Sequence, residues 1–196
     1  MAVVLGLGNP GARYRRTRHN VGWRVVEQLA EEWKAAPADS DPQWFRAWRA
    51  APQGRELHLV VPLGFMNLSG EALAVFGERH PLDLETLLVV SDDVYLPVGT
   101  LRLRRGGTSG GHRGLESIER AFGTTSFARL RVGVGSASSS AELGEHVLED
   151  YQDDEAEAAE QAERLAAEAV KCWFEAGLTA AMNRFNRRSS KEETTS

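Results

Sequence analysis

Cysteine is almost absent from this chain of 196 residues, which carries Cys172 alone. That excludes an intrachain disulfide framework and any multi-cysteine metal site. Cys172 falls in an apolar helical run at 170–174 and reads as a buried core residue. Long hydrophobic runs are also missing, which excludes a membrane-spanning helix. The Gly-x-Ser-x-Gly match at 107–111 falls within a glycine-rich loop rather than at a sharp strand-to-helix elbow, and the cysteine sits in no motif, so an activated water is the nucleophile to expect of any hydrolytic site. Lysine is scarce, with three residues against twenty arginines. The N-terminus reads as a strand without a charged leader region, and a cytoplasmic location is the default expectation.

What is present suits an ordinary globular domain, with 42% hydrophobic and 26% charged residues. The net charge of −5 argues against a polyanion partner, but its distribution argues the other way. Residues 142–163 hold ten acids and no Lys or Arg, which leaves 18 acids against 23 bases elsewhere. Arginines gather at 13, 15, 16 and 18, at 102, 104, 105 and 113, and at 129 and 131. Such a basic face could meet phosphates, although genomic base composition alone would also enrich arginine.

The pattern predicts a buried strand at 3–5, a loop to Asn20, and a helix to about Trp33 with Asn20 as its N-cap. A polar connection at 37–42 precedes two strands, 43–51 and 56–61, around the turn Pro52-Gln53-Gly54. A helix follows Gly70, and the continuous apolar run 87–90 predicts a strand covered on both faces. Leu101 and Leu103 alternate with Arg102 and Arg104, giving one apolar and one cationic strand face. A glycine-rich loop at 106–114 leads into a helix, a strand spans 127–134, and a serine-rich connection occupies 136–140. A long helix is expected over 153–176. Strands alternating with helices indicate a single α/β domain, a three-layer sandwich with a mixed, twisted sheet flanked by helices.

Gly6-Leu7-Gly8-Asn9-Pro10-Gly11 matches the dinucleotide fingerprint GxGxxG, yet the context disagrees. No helix opens at the third glycine, and the acids ~20 residues on belong to the helix rather than to a second strand end. The polar residues nearby fit hydrolysis better. A neutral histidine, with an ordinary pKa of ~6.5, can take a proton from water, and a carboxylate can orient its ring. Asn9 and His19, Asn67, and Asp92 supply such groups from three loops, and asparagine amides can support a developing oxyanion.

These residues arrive in ordered motifs: GLGNPGxxY then TRHNVG, PxxFMNLSG, SDD with LPxGxLRLRRGG, GGHRGLESI, and FxRLRVGVG. Together they closely resemble the bacterial-type peptidyl-tRNA hydrolase family, densely over 2–135 and loosely in the C-terminal helix. The resemblance implies one catalytic domain over 1–188 with a disordered tail at 189–196. It implies hydrolysis of the ester joining peptide to tRNA, without metal or nucleotide cofactor. His19 is then the base that activates water, Asp92 its orienting partner, and Asn9 the residue that senses a blocked amino group. Asn67, Phe65 and Met66 resemble the wall for the peptide and the tRNA 3′ end. Tyr14, Arg102, Arg104, Arg113 and Arg131 match tRNA-contacting positions. The implied partner is peptidyl-tRNA, with no DNA or membrane partner and a monomeric state.

The chain departs from the family pattern at several points. Ser91 replaces a frequent His, Gly64 a Thr, Val61 a Lys, and Arg113 an Asn, while a Ser/Ala run replaces His-Pro-Gly after Gly135. Arg113 can hold phosphate but cannot accept a hydrogen bond. The alternative from another class is an RNA-binding module on this fold that no longer hydrolyses.

Overall fold

Strand β1 (Ala2–Gly6) occupies the middle of a seven-stranded sheet. The computed structural model describes residues 1–136 and 142–186. The other strands are β2 (Ala36–Pro37), β3 (Phe45–Ala50), β4 (Leu57–Pro62), β5 (Leu87–Asp93), β6 (Leu101–Arg104) and β7 (Ala128–Gly133), in the order β2-β3-β4-β1-β5-β7-β6. The four inner strands β4, β1, β5 and β7 run parallel, while β3 pairs antiparallel with β4 and with β2, and β6 with β7.

The apolar runs explain this arrangement. Val4, Leu59, Leu88, Val90 and Leu130 turn to one face, where they meet helices α1 (Val21–Glu32), α5 (Asp153–Ala176) and α6 (Leu178–Phe185). Val3, Leu5, Val60, Leu87 and Val89 turn to the other face, against α2 (Ser69–Arg79) and α3 (Arg113–Phe122). A strand with period-2 side chains and two apolar faces needs cover on both sides. The result is the three-layer α/β sandwich with a mixed sheet. A short helix, α4 (Leu143–His146), completes the set.

The glycines of the opening motif serve close approach. A Cβ on Gly6 would lie 2.2 Å from the Gly22 carbonyl oxygen, and one on Gly22 would lie 2.3 Å from that of Val90. Helix α1 therefore rests directly on the sheet, and Trp23 N–H donates to the Leu7 carbonyl.

Several elements differ from the sequence expectation. Asn20 stands at the N-cap of α1 as expected, but its side chain makes no capping bond and binds the backbone of Asn9 instead. The expected connection at 37–42 begins inside β2, because Ala36 and Pro37 pair with Arg49 and Trp48. Helices α4 and α6 were not foreseen. Cys172 is half-buried rather than enclosed. Most of the serine-rich connection and the whole 189–196 tail lie outside the described residues. No helix among the described residues is long and apolar enough to cross a membrane.

Edge strand β6 is closed by a side chain rather than by another strand. Asn186, just after α6, accepts from the Leu103 N–H at 2.8 Å and donates to its carbonyl at 3.0 Å. An unpaired edge offers a template for intermolecular pairing, and this amide occupies it.

Candidate active site

Asp92 is the penultimate residue of the inner strand β5, and ligands of open α/β sheets gather at carboxyl ends of strands. Its Oδ1 lies 2.7 Å from His19 Nδ1 and 2.9 Å from His112 Nε2. His19 belongs to a 3-10 turn (Arg18–Asn20) that leads into α1, and His112 immediately precedes α3.

The protons in this triad follow from the backbone. The N–H groups of Gly114 and Leu115 donate to His112 Nδ1 at 3.1 and 3.3 Å. That nitrogen therefore carries the lone pair, and His112 Nε2–H donates to Asp92. Asp92 also accepts from His19 Nδ1–H, which leaves the lone pair of His19 on Nε2. Among the described residues nothing hydrogen-bonds to His19 Nε2. Burial opposes ionisation of Asp92, but its electrostatic and hydrogen-bonding interactions with the His19 and His112 rings outweigh it and hold the carboxyl well below the usual carboxylate range.

Among the described residues, His19, Asp92 and His112 also form the one group with metal-ligand spacing. To ligate through Nε2, neutral His112 would have to carry its proton on Nδ1, against two backbone donors. The donor set is arranged to hold protons rather than a cation.

Asn9 reaches the same place from the β1 loop. Its Oδ1 accepts from Met66 N–H at 2.8 Å, while its own N–H and carbonyl pair with the Asn20 side chain, both at 2.9 Å. Three bonds thus fix the residue, one of them on its side-chain amide, whose Nδ2 has no protein partner among the described residues. The turn of His19 is tied as firmly. Arg18 N–H donates to the Glu149 carbonyl, and His19 N–H to that of Val147. The buried Arg18 guanidinium pairs with Glu155 at 2.6 Å, donates to the Val134 carbonyl at 3.1 Å, and lies over the Tyr151 ring.

His19, Asp92 and Asn9 line a cleft of about 600 Å³. Tyr14, Phe65, Met66, Asn67, Arg113 and Arg131 line it too. Phe65 and Asn67 are exposed on its rim, and Met66 is buried beneath them. Phe65, Tyr95 and Leu148, the large apolar side chains left exposed among the described residues, all border this cleft. Arg131 pairs with Asp93 at 3.2 Å and donates to the carbonyls of Thr108 and Ser109, so its guanidinium braces the glycine-rich loop. Arg102 and Arg104 stand outside the cleft lining, exposed on β6 in register with Arg131 and Arg129.

Sequence reasoning named eight cleft residues together with Asp92, and it missed His112. The signal was present in Gly111-His112-Arg113-Gly114, a histidine at the start of a helix. It also missed the wall formed by residues 143–148, whose Val147 and Leu148 face the cleft.

Comparison with known proteins identifies the family. The family model described as peptidyl-tRNA hydrolase matches residues 3–194. The chain is 41% identical to the peptidyl-tRNA hydrolase of Synechococcus sp. (strain JA-2-3B'a(2-13)), over 95% of this chain and 83% of that one. It is likewise 41% identical to that of Salinibacter ruber, over 94% and 97%. The crystal structure of peptidyl-tRNA hydrolase from Acinetobacter baumannii superposes with a TM-score of 0.88 at 32% identity, covering 95% of this chain and 94% of that one. The chain belongs to the peptidyl-tRNA hydrolase family.

Proposed function

We propose that the protein hydrolyses the ester bond between peptide and tRNA ribose, releasing the peptide acid and a free tRNA. One observation carries this reading above all: His19 is held through Nδ1 on an ionised carboxylate, with its basic Nε2 left over the cleft. In the reaction His19 Nε2 takes a proton from water as the oxygen attacks the ester carbonyl. Asp92 stabilises the resulting imidazolium, and His112 keeps Asp92 fixed as an acceptor. The free Nδ2 of Asn9 donates to substrate oxygen, with Asn67 on the facing wall. As the tetrahedral intermediate collapses, the imidazolium returns its proton to the departing ribose oxygen, which restores His19. General-base catalysis of this kind contributes about 10²–10⁴-fold.

The rim fits the rest of the substrate. Phe65, Met66 and Tyr14 offer apolar surface to the peptide and the terminal nucleotide, while Arg102, Arg104 and Arg113 supply positive charge for phosphates and Arg131, paired with Asp93, holds the loop beside them. We read the protein as a cytoplasmic monomer needing no cofactor. The test is incubation of the purified protein with N-acetyl-aminoacyl-tRNA and, in parallel, with unblocked aminoacyl-tRNA. Release of N-acetyl amino acid from the first, much faster than release from the second, is expected. Tight binding of either without turnover would overturn the proposal and establish an RNA-binding module instead.

A further inference from the structure

Behind the loop that carries Asn9 lies a second cavity, of about 350 Å³. Asn9 lines both this cavity and the cleft, so the two spaces adjoin it from different sides of its loop. Three arginines line the cavity, Arg15, Arg24 and Arg46, against a single acid, Glu27.

The three cations are differently committed. Arg24 is neutralised by Glu163 at 2.8 Å and donates to the carbonyls of Arg15 and Thr17, so it shapes the loop. Arg46 lies 3.7 Å from Glu27 with 46% of its side chain exposed, a long pair of little strength. Arg15 is exposed and has no acidic partner among the described residues, and the same holds for Arg13 and Arg16 beside it. Arg13 rests on the Tyr14 ring, which lines the cleft. Uncommitted positive charge thus runs from the cleft mouth over the Asn9 loop into the second cavity.

We infer that the cavity is a phosphate subsite, in which Arg15 and Arg46 hold a phosphodiester of the RNA strand whose 3′ end is being hydrolysed. The inference rests on the proposed function. A guanidinium meets a phosphate through two parallel N–H bonds and is weakly hydrated, which suits a small cavity better than an ammonium would. An arriving phosphate replaces Glu27 as the partner of Arg46. It also anchors the strand on the far side of Asn9 from His19, apart from the arginines exposed on β6.

The test compares wild type with the double variant Arg15→Ala, Arg46→Ala on two substrates. One is N-acetyl-aminoacyl-tRNA, and the other is the N-acetyl-aminoacyl ester of adenosine, which carries no phosphate. Both side chains are exposed, so the variant retains the fold. On the tRNA substrate kcat/KM should fall about tenfold through KM, with the salt dependence of binding shallower by about one unit of slope. The loss on the adenosine ester should be at least fivefold smaller. Arg15→Lys with Arg46→Lys should recover part of the loss. Equal losses on the two substrates, or none on the tRNA, would overturn the subsite while leaving the hydrolase reading intact. Failure of wild type to cleave either substrate would instead count against the hydrolase reading itself.

Discussion

Asp92 Oδ1 accepts from two imidazoles at once, and each donor has a different backbone guarantee. His112 is fixed by two N–H groups at the start of α3. His19 is fixed by its own N–H on the Val147 carbonyl. His58 shows the opposite treatment of a histidine. It is buried beside Phe76 and His80, with Nδ1 unpartnered among the described residues. Burial lowers its pKa, the charges of His80 and Arg49 add to that, and Glu56 opposes it. The folded state therefore binds fewer protons here than the unfolded chain. The corresponding stability is present above the ordinary histidine pKa and is lost as pH falls below it. Urea unfolding at pH 7.5 and 5.5 should show a larger loss in wild type than in His58→Phe. Equal losses would remove His58 from the acid response.

At the scale of elements, the site depends on how closely helices approach one another and the sheet. A Cβ on Gly70, in the first turn of α2, would lie 2.1 Å from the Ser117 carbonyl oxygen of α3. Gly70 N–H also donates to Ser117 Oγ at 2.9 Å. Gly70→Ala should therefore separate the two helices at a cost of about 1–3 kcal/mol, read from the urea midpoint. Because the turn bearing Met66 and Asn67 leads directly into α2, KM should rise as well. Unchanged stability would show that the contact yields freely. Legibility in the sequence follows the same scale. The runs at 3–5 and 87–90 and helix α5 were readable, since periodicity over many residues records burial. The two-residue strand β2 carries no period, and its pairing with β3 is a tertiary fact. His112 was missed for a related reason: in a glycine-rich loop it reads as a surface residue until α3 is placed beside the end of β5. Asn20 has the composition of a cap, but the nearer backbone of Asn9 takes its side chain.

For the whole molecule, charge is segregated rather than merely acidic. Ten acids fall within 142–163, and the rest of the chain is net basic. Arg102 and Arg104 project together from one face of β6. On the proposed function, Arg102→Glu with Arg104→Glu should weaken tRNA binding most at low salt and flatten the salt dependence by about two units of slope. Unchanged affinity at low salt would remove this face from the interface. On the proposed function, His19 Nε2 is the base in the cleft and Asp92 its orienter. This assignment is tested most directly by single-turnover hydrolysis of N-acetyl-aminoacyl-tRNA by wild type, His19→Ala and Asp92→Asn. Both variants should cleave about 10²–10⁴-fold more slowly at saturating enzyme, with substrate affinity little changed. A His19→Ala protein that cleaves as fast as wild type would contradict the account.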